Sequence, residues 1–316
     1  MIPLPPLIVI TGPTASGKSA LALTLCTQFN GEIINADSTL IYCHLNIGTA
    51  KPTPAELKAV PHHLINILNP ETPFSAGQFC TEAEKAIGDI EQRQHIPFLV
   101  GGTMLYLKAL LYGLSNLPTA STEIREAISK DAEKYGWNTL HERLKQVDPK
   151  AAARIHVNDP QRLQRALEIY YLTGQAQSDL FEGPKQGLMQ QSHRVLILAV
   201  VPEDRAVLHQ RIAERFDAML RAGFVDEVAA LKKCPALHAT LPSMRAVGYR
   251  QVWQYLEGEY DYDTMRDKAI AATRQLAKRQ LTWLRQWPEV QYFDPTKSNF
   301  LTTVKYCILD FLNYYS

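Results

Sequence analysis

The segment Gly12-Pro13-Thr14-Ala15-Ser16-Gly17-Lys18-Ser19 constrains this chain more than any other. It satisfies the pattern G-x-x-x-x-G-K-[ST] at every fixed position. An apolar run, Leu7–Thr11, precedes it and breaks at Gly12, and a helical pattern with Ala20, Leu21, Leu23, Thr24 and Leu25 follows. A loop of this kind between a strand and a helix is a cradle for phosphate. Its backbone N–H groups and the helix N-terminus converge on anionic oxygens, and the glycines permit the backbone approach this requires. Lys18 supplies a point charge, and the Ser19 hydroxyl is suited to ligate Mg²⁺. Gly12 to Ser19 are therefore candidate diphosphate-binding residues, with Ser19 the candidate metal ligand. The loop specifies a polyphosphate without specifying ATP.

Around this loop the pattern alternates. Glu32–Ala36 reads as a second strand ending at Asp37, and His63–Leu68 as a third. Ala83–Gln94 reads as a helix, Ile96–Val100 as a buried strand closed by Gly101-Gly102, and Met104–Tyr112 as a helix. Apolar strands alternating with helices predict a parallel sheet covered on both faces. After Leu117-Pro118-Thr119 the chain turns helical and charged to about residue 185, and Gly183-Pro184-Lys185-Gln186-Gly187 reads as a loop. Val195–Val201 supplies another buried strand, and the remainder reads as helical. The expected fold class is α/β: a P-loop NTPase-like parallel sheet with helices on both faces, plus a helical insertion domain. Its expected divisions are a first part of the core over 1–118, the insertion over 119–192, and a second part with basic C-terminal helices over 193–316.

Composition excludes several classes. The 316 residues are 46% apolar and 21% charged, as in ordinary globular chains with a sizeable core. No apolar run approaches the ~20 residues of a membrane span. Met1-Ile2-Pro3-Leu4-Pro5-Pro6 lacks the parts of a signal peptide. Cys26, Cys43, Cys80, Cys234 and Cys307 are scattered and never form C-x-x-C, which argues against disulfides and zinc and for a reducing cytoplasm. Net charge is only +1, so nucleic-acid affinity must come from local basic patches.

Kinases with such a loop usually carry an Asp at a neighbouring strand end to hold Mg²⁺. Here the strand Ile96–Val100 ends in Gly101-Gly102-Thr103. Threonine is a poor base, but its hydroxyl donates to a phosphate ester oxygen. A carboxylate stands at a different strand end, Asp37, followed by Ser38. Ligands of parallel sheets bind beyond the carboxyl ends of the strands, so Asp37, Thr103 and the loop are expected to face one pocket. Asp37 also fits a helix cap or a substitute metal carboxylate, and on these residues an ATP-dependent small-molecule kinase stays open.

Further blocks narrow the choice. After the phosphate loop come, in order, Asp37-Ser38 with Ile47-Gly48-Thr49-Ala50-Lys51-Pro52, then Val60-Pro61-His62-His63-Leu64 and Val100-Gly101-Gly102-Thr103-Met104-Leu105-Tyr106. Asn158-Asp159-Pro160-Gln161-Arg162-Leu163-Gln164-Arg165-Ala166-Leu167-Glu168, Arg245-Ala246-Val247-Gly248-Tyr249-Arg250-Gln251 and Ala277-Lys278-Arg279-Gln280-Leu281-Thr282-Trp283-Leu284-Arg285 complete the set. From residue 12 to 285 these resemble successive blocks of the tRNA dimethylallyltransferases. The loop alone is shared by many unrelated enzymes; the ordered set is not.

The resemblance implies transfer of a dimethylallyl group from dimethylallyl diphosphate to the exocyclic N6 amine of the adenosine 3′-adjacent to the anticodon of tRNA, releasing diphosphate. Carbon rather than phosphorus is then attacked. It also implies Mg²⁺, a cytoplasmic monomer, and the tRNA anticodon stem-loop as partner. An exocyclic adenine amine is a weak nucleophile that must lose a proton, and Asp37 is the candidate base. Lys18, the loop amides and Thr103 at the bridging oxygen are candidates to stabilise the departing diphosphate. The resemblance adds Arg215, in Ile212-Ala213-Glu214-Arg215-Phe216-Asp217; by itself that residue reads as a surface arginine on an amphipathic helix.

For tRNA the resemblance assigns Asp37, Ser38, Thr39, Leu40 and Thr103, then Arg125 at the start of the insertion, and Gln161, Arg162, Leu163, Gln164 and Arg165. It adds Arg245, Ala246, Val247, Gly248, Tyr249 and Arg250, and finally Lys278, Arg279, Gln280, Leu281, Thr282, Trp283, Leu284 and Arg285. The target base must leave its loop to enter a pocket. Taken alone, Arg162 and Arg165 are solvated charges beside a core face of Leu163, Ala166, Leu167, Tyr170 and Tyr171. Arg274, Lys278 and Arg285 likewise flank a stripe of Ile270, Thr273, Ala277, Leu281 and Leu284. His62-His63 lacks a third ligand at metal spacing and reads as structural.

Departures from the family pattern are few. Many relatives have Gln where Leu40 stands, so an apolar or backbone contact is expected to replace an amide at the base. Asn66 stands where many have Asp, and neither form reads as catalytic. The C-terminus lacks the zinc-finger extension of nuclear-encoded eukaryotic relatives, which points to the bacterial form. Two further alternatives carry less: a prenyltransferase of free adenine nucleotides needs neither insertion nor basic helix, and an RNA-binding protein with a relict loop need not keep Lys18, Ser19, Asp37 and Thr103.

Overall fold

The structure is a computed structural model describing residues 4–113, 117–180 and 189–313. The expected loop Gly183–Gly187 and the first three residues lie outside that set. The chain divides into two compact units, Met1–Leu111 with Met189–Ser316, and Tyr112–Leu188.

In chain order the first unit begins β1 (Pro6–Thr11), α1 (Lys18–Gln28), β2 (Gly31–Asn35), α2 (Pro54–Ala59), β3 (His62–His63), α3 (Ala76–Gln92), β4 (Ile96–Gly101) and α4 (Met104–Tyr112). The second unit holds α5 (Thr122–Val147), α6 (Pro149–Arg154), α7 (Pro160–Thr173) and α8 (Gln177–Leu180). The first unit resumes with β5 (Arg194–Val200), α9 (Arg205–Arg221), α10 (Phe224–Lys232), α11 (Tyr249–Leu256), α12 (Tyr262–Leu284), β6 (Val290–Phe293) and α13 (Phe300–Asn313).

Six strands form one parallel sheet in the order β3-β2-β4-β1-β5-β6. The β1, β4 and β5 sequences are apolar in consecutive positions because both faces are covered. Ile8, Ile10, Phe98, Val100, Leu196 and Leu198 pack with Leu21, Leu25, Val304 and Ile308 of α1 and α13. The alternate residues Leu7, Val9, Ile34 and Leu99 are fully buried as well. A second core gathers α9 to α12 around Phe216, Phe224, Tyr249 and Trp253, with Ile41, Tyr42 and Leu45.

Two strand expectations are corrected. The third strand stops after His63, because Leu64 and Asn66 adopt left-handed φ values of 60° and 56°, which a strand cannot continue through. A sixth strand, Val290–Phe293, pairs with β5 where helix was expected; four residues with an exposed Tyr292 carry little strand signal. The helix expected from Ala83 starts at Ala76, where Ser75 and Gln78 form a capping box.

Within the second unit α5, α6 and α7 share a core of Ile128, Leu140, Leu144, Ala151, Leu163 and Leu167. No strand occurs among its described residues. Gly136, at φ 79° and ψ 154°, breaks α5 into two segments. Glu168, fully buried in α7, accepts from the Ser121 N–H at 2.8 Å, from Arg125 Nε at 2.9 Å and from Arg165 Nη1 at 2.7 Å. Burial pushes its pKa up, but these hydrogen bonds outweigh that and hold it below the usual carboxylate range.

Candidate active site

The phosphate loop leaves β1 at Thr11 and enters α1 at Lys18. Gly17 occupies the N-cap at φ 98° and offers no side chain to the first turn. Thr53, Ser75, Ser121, Asp148, Asp159, Asp204 and Asp261 cap their helices by side chain, whereas Gly223 of α10 and Gly248 of α11, like Gly17, offer none. The first N–H groups of α1 are therefore left for a ligand. Lys18 is 9% exposed and donates to the Pro13 carbonyl at 3.3 Å. Burial lowers its pKa to about 8, with Asp37 opposing and Arg215 reinforcing the fall.

The β4 and β2 ends close on each other. Ala36 N–H donates to the Val100 carbonyl at 2.8 Å, and Thr103 N–H to the Ala36 carbonyl at 3.1 Å. A Cβ on Gly101 would run into the Ala36 backbone, so the Gly-Gly pair lets Thr103 approach. Ser38 N–H then donates to Thr103 Oγ1 at 2.9 Å, and that hydroxyl donates to Ser38 Oγ at 3.2 Å. Asp37 Oδ1 accepts from Thr39 N–H at 2.9 Å and from its hydroxyl at 2.7 Å. Asn35 fixes the turn: its Oδ1 accepts from Asp37 N–H and its Nδ2 donates to the carbonyls of Asp37 and Leu64, each at 3.0 Å.

Two cavities meet here. The larger, about 350 Å³, is lined by Asp37, Ser38, Thr39, Thr103, Val247, Gly248, Arg279, Gln280 and Trp283. The smaller, about 90 Å³, is lined by Lys18, Ser19 and the apolar Ala22, Leu23, Ile33, Leu40, Ile65 and Val100. Thr14, Asp37, Thr49 and Arg215 line both. Arg215 is half-buried and donates from Nη2 to the Thr49 carbonyl at 3.3 Å. Burial lowers its pKa, and Asp37 opposes that.

The sequence-derived RNA residues divide by environment. In the first unit Arg245, Arg250, Lys278, Arg279, Thr282 and Arg285 are exposed, while Ala246, Leu281 and Trp283 are half-buried. In the second unit Gln161 and Arg162 are exposed, and Arg162 pairs with Asp159 at 3.4 Å. Leu163, Tyr249, Gln280 and Leu284 are interior, each on the buried face of its helix, and Gln280 also lines the larger cavity. Arg125 and Arg165 hold Glu168, Arg165 also donates to the Pro118 carbonyl, and Gln164 donates to the Arg125 carbonyl and Ser129. Leu40 lines the smaller cavity.

Other residues escaped the sequence. Glu227 accepts from the N–H groups of Asn46, Ile47 and Gly48 and from the Tyr249 hydroxyl, fixing the loop that presents Thr49; nothing local announces a contact across some 180 positions. Arg211 reaches the Ser16 carbonyl at 3.4 Å, and its position four residues before Arg215 on α9 is a signal that spacing could have given. His62 and His63 bond to the Val60 carbonyl and to Glu32, and no cluster of three metal-binding side chains occurs among the described residues.

The chain is similar to known proteins in sequence and in fold. The chain is 54% identical over 291 residues to the tRNA dimethylallyltransferase of Methylococcus capsulatus, covering 92% of this chain and 93% of that one. A crystal structure of the full-length tRNA isopentenylpyrophosphate transferase of Bacillus halodurans superposes with a TM-score of 0.71 at 34% identity, covering 98% of this chain and 97% of that chain. Crystallographic snapshots of a eukaryotic dimethylallyltransferase acting on tRNA give 0.79 at 28% identity, covering 99% and 80%. The model of the IPP transferase family matches residues 40–287. With the phosphate loop, the Asp37 turn and the Thr103 loop converging as described, the chain belongs to the IPP transferase family.

Proposed function

We propose that this protein transfers a dimethylallyl group from dimethylallyl diphosphate to the N6 amine of the adenosine 3′-adjacent to the anticodon of tRNA, releasing diphosphate. The observation that carries this reading is the position of Asp37 and Arg215 in the walls of both cavities. A donor seated at the phosphate loop and an acceptor base entering the larger cavity meet at that carboxylate. In a kinase the neighbouring strand end would carry the metal carboxylate; here it carries Thr103.

The amine attacks the allylic carbon, the C–O bond to the diphosphate breaks, and the amine proton passes to Asp37. Thr39 holds Oδ1 of that carboxylate, which fixes its orientation for the transfer. Lys18, the α1 N–H groups and Arg215 receive the developing charge, and the Thr103 hydroxyl, which donates to Ser38 Oγ in the free protein, rotates to donate to the bridging oxygen. Mg²⁺ fits this donor set: it binds through few protein ligands plus phosphate oxygens and waters, and the exposed Ser19 hydroxyl lies at the same cavity as Lys18. When bound it neutralises diphosphate charge. The exposed Lys278, Arg279 and Arg285 of α12 suit phosphate contact around the entry.

No described helix is long and apolar enough to cross a membrane; with tRNA as its substrate, the protein is proposed to act in the cytoplasm, as a monomer. The deciding experiment is mass spectrometry of tRNA nucleosides after incubation with the protein, dimethylallyl diphosphate and Mg²⁺. N6-dimethylallyl-adenosine is expected. ATP turnover without RNA, and no prenylated nucleoside, would establish the kinase instead.

A further inference from the structure

One side chain joins the two loops that the transfer reading assigns to the donor. Gln280, in α12, is only 6% exposed. Its Oε1 accepts from the Thr14 N–H of the phosphate loop at 2.9 Å. Its Nε2 donates to the carbonyl of Gly102, the residue before Thr103, at 2.8 Å. The paired strand ends Thr11 and Gly101 start the two loops side by side, and the amide, with acceptor and donor in one rigid plane, bridges them just beyond that pair, at Thr14 and Gly102. The backbone is shaped to admit it, since a Cβ on Gly102 would stand 2.5 Å from Nε2. On the same helix face, Thr273, Leu276 and Trp283 line the larger cavity.

We propose that Gln280 is a positioning residue for the group transfer. It holds the phosphate loop and Thr103 in register, so that the Thr103 hydroxyl meets the bridging oxygen of a diphosphate seated in the loop. Gln280 acts through Thr14 and Gly102 and does not touch the reacting atoms. The inference rests on the transfer reading. A residue that only satisfies buried backbone groups would affect stability alone, whereas a displacement of about 1 Å at a reacting group costs about 10²-fold in rate.

The test is steady-state prenylation of tRNA by the parent and by Gln280→Met, a near-isosteric change that removes both hydrogen bonds. In folded protein, kcat should fall by about 10²-fold while the tRNA Kd stays within about twofold, because the exposed residues of α12 are untouched. In a Thr103→Ala background the same change should cost far less, since the group it positions is gone. A folded Gln280→Met with kcat within about threefold of the parent overturns the proposal, as does an equal loss in both backgrounds. If Gln280→Met does not fold, Gln280→Glu decides. Its carboxylate keeps the acceptor for Thr14 but opposes the Gly102 carbonyl until protonated, so its activity relative to the parent should recover as pH falls; a flat ratio overturns the proposal. A parent that prenylates nothing sinks the transfer reading and this inference with it, a result distinct from an active parent matched by its variant.

Discussion

Binding of the prenyl diphosphate should draw a proton onto Lys18. In the free protein, burial lowers the Lys18 pKa from 10.5 to about 8, Asp37 opposing and Arg215 reinforcing. The charge is thus present well below pH 8 and lost above it. A bound diphosphate stabilises the ammonium and moves its pKa back up. Returning it to 10.5 is worth on the order of 3.5 kcal/mol, at about 1.4 kcal/mol per pH unit. At pH 8 about half of the molecules must gain a proton to bind, so uptake should be about half a proton per ligand, and above that Kd should rise towards about tenfold per pH unit. The assay is titration calorimetry with dimethylallyl diphosphate in buffers of different ionisation enthalpy. The ligand's own protonation, measured by phosphorus NMR without protein, is subtracted. Zero net uptake at pH 8, with a flat Kd from about pH 7 to 9.5, would show that Lys18 stays charged throughout and refute the desolvation argument.

Three further outcomes are expected. Asp37→Asn should lower the prenylation rate by about 10²–10⁴-fold with tRNA affinity nearly unchanged; rescue by added Mg²⁺ would make Asp37 a metal-side residue instead of a base. Glu168→Gln leaves Arg125 and Arg165 facing a neutral amide and should destabilise the second unit by on the order of 3 kcal/mol, seen as faster hydrogen exchange in α5 and α7; protection equal to the parent's would show that the cluster contributes nothing net. Glu32 is held down to about 2 by Arg93 first, against burial, with His63 and His95 assisting, so its stabilisation is complete above the ordinary 4.5 and is lost as pH falls towards 2. Glu32→Gln should therefore flatten the acid limb of the urea midpoint against pH, and an unaltered limb would exclude this carboxylate as its source.

The sequence by itself determined the phosphate-loop pattern, the parallel sheet and the candidate side chains Lys18, Asp37 and Thr103. Each is a local signal: a fixed glycine and lysine spacing, consecutive apolar residues in a doubly covered strand, and a polar residue just past a strand end. It also determined the family, because ordered blocks survive without any knowledge of contacts. Only the tertiary structure decided which residues of those blocks are exposed and which are buried. Tyr249, Gln280 and Leu284 stand among exposed basic neighbours in the chain, yet helix rotation turns them inward. Arg125 and Arg165 look like surface charges until Glu168 is found buried between them. Glu227 and Gln280 bond to backbone some 180 and 266 positions away. Hydrogen bonds to backbone groups leave no donor or acceptor side chain on the partner to read, so no pattern in the sequence could have paired them.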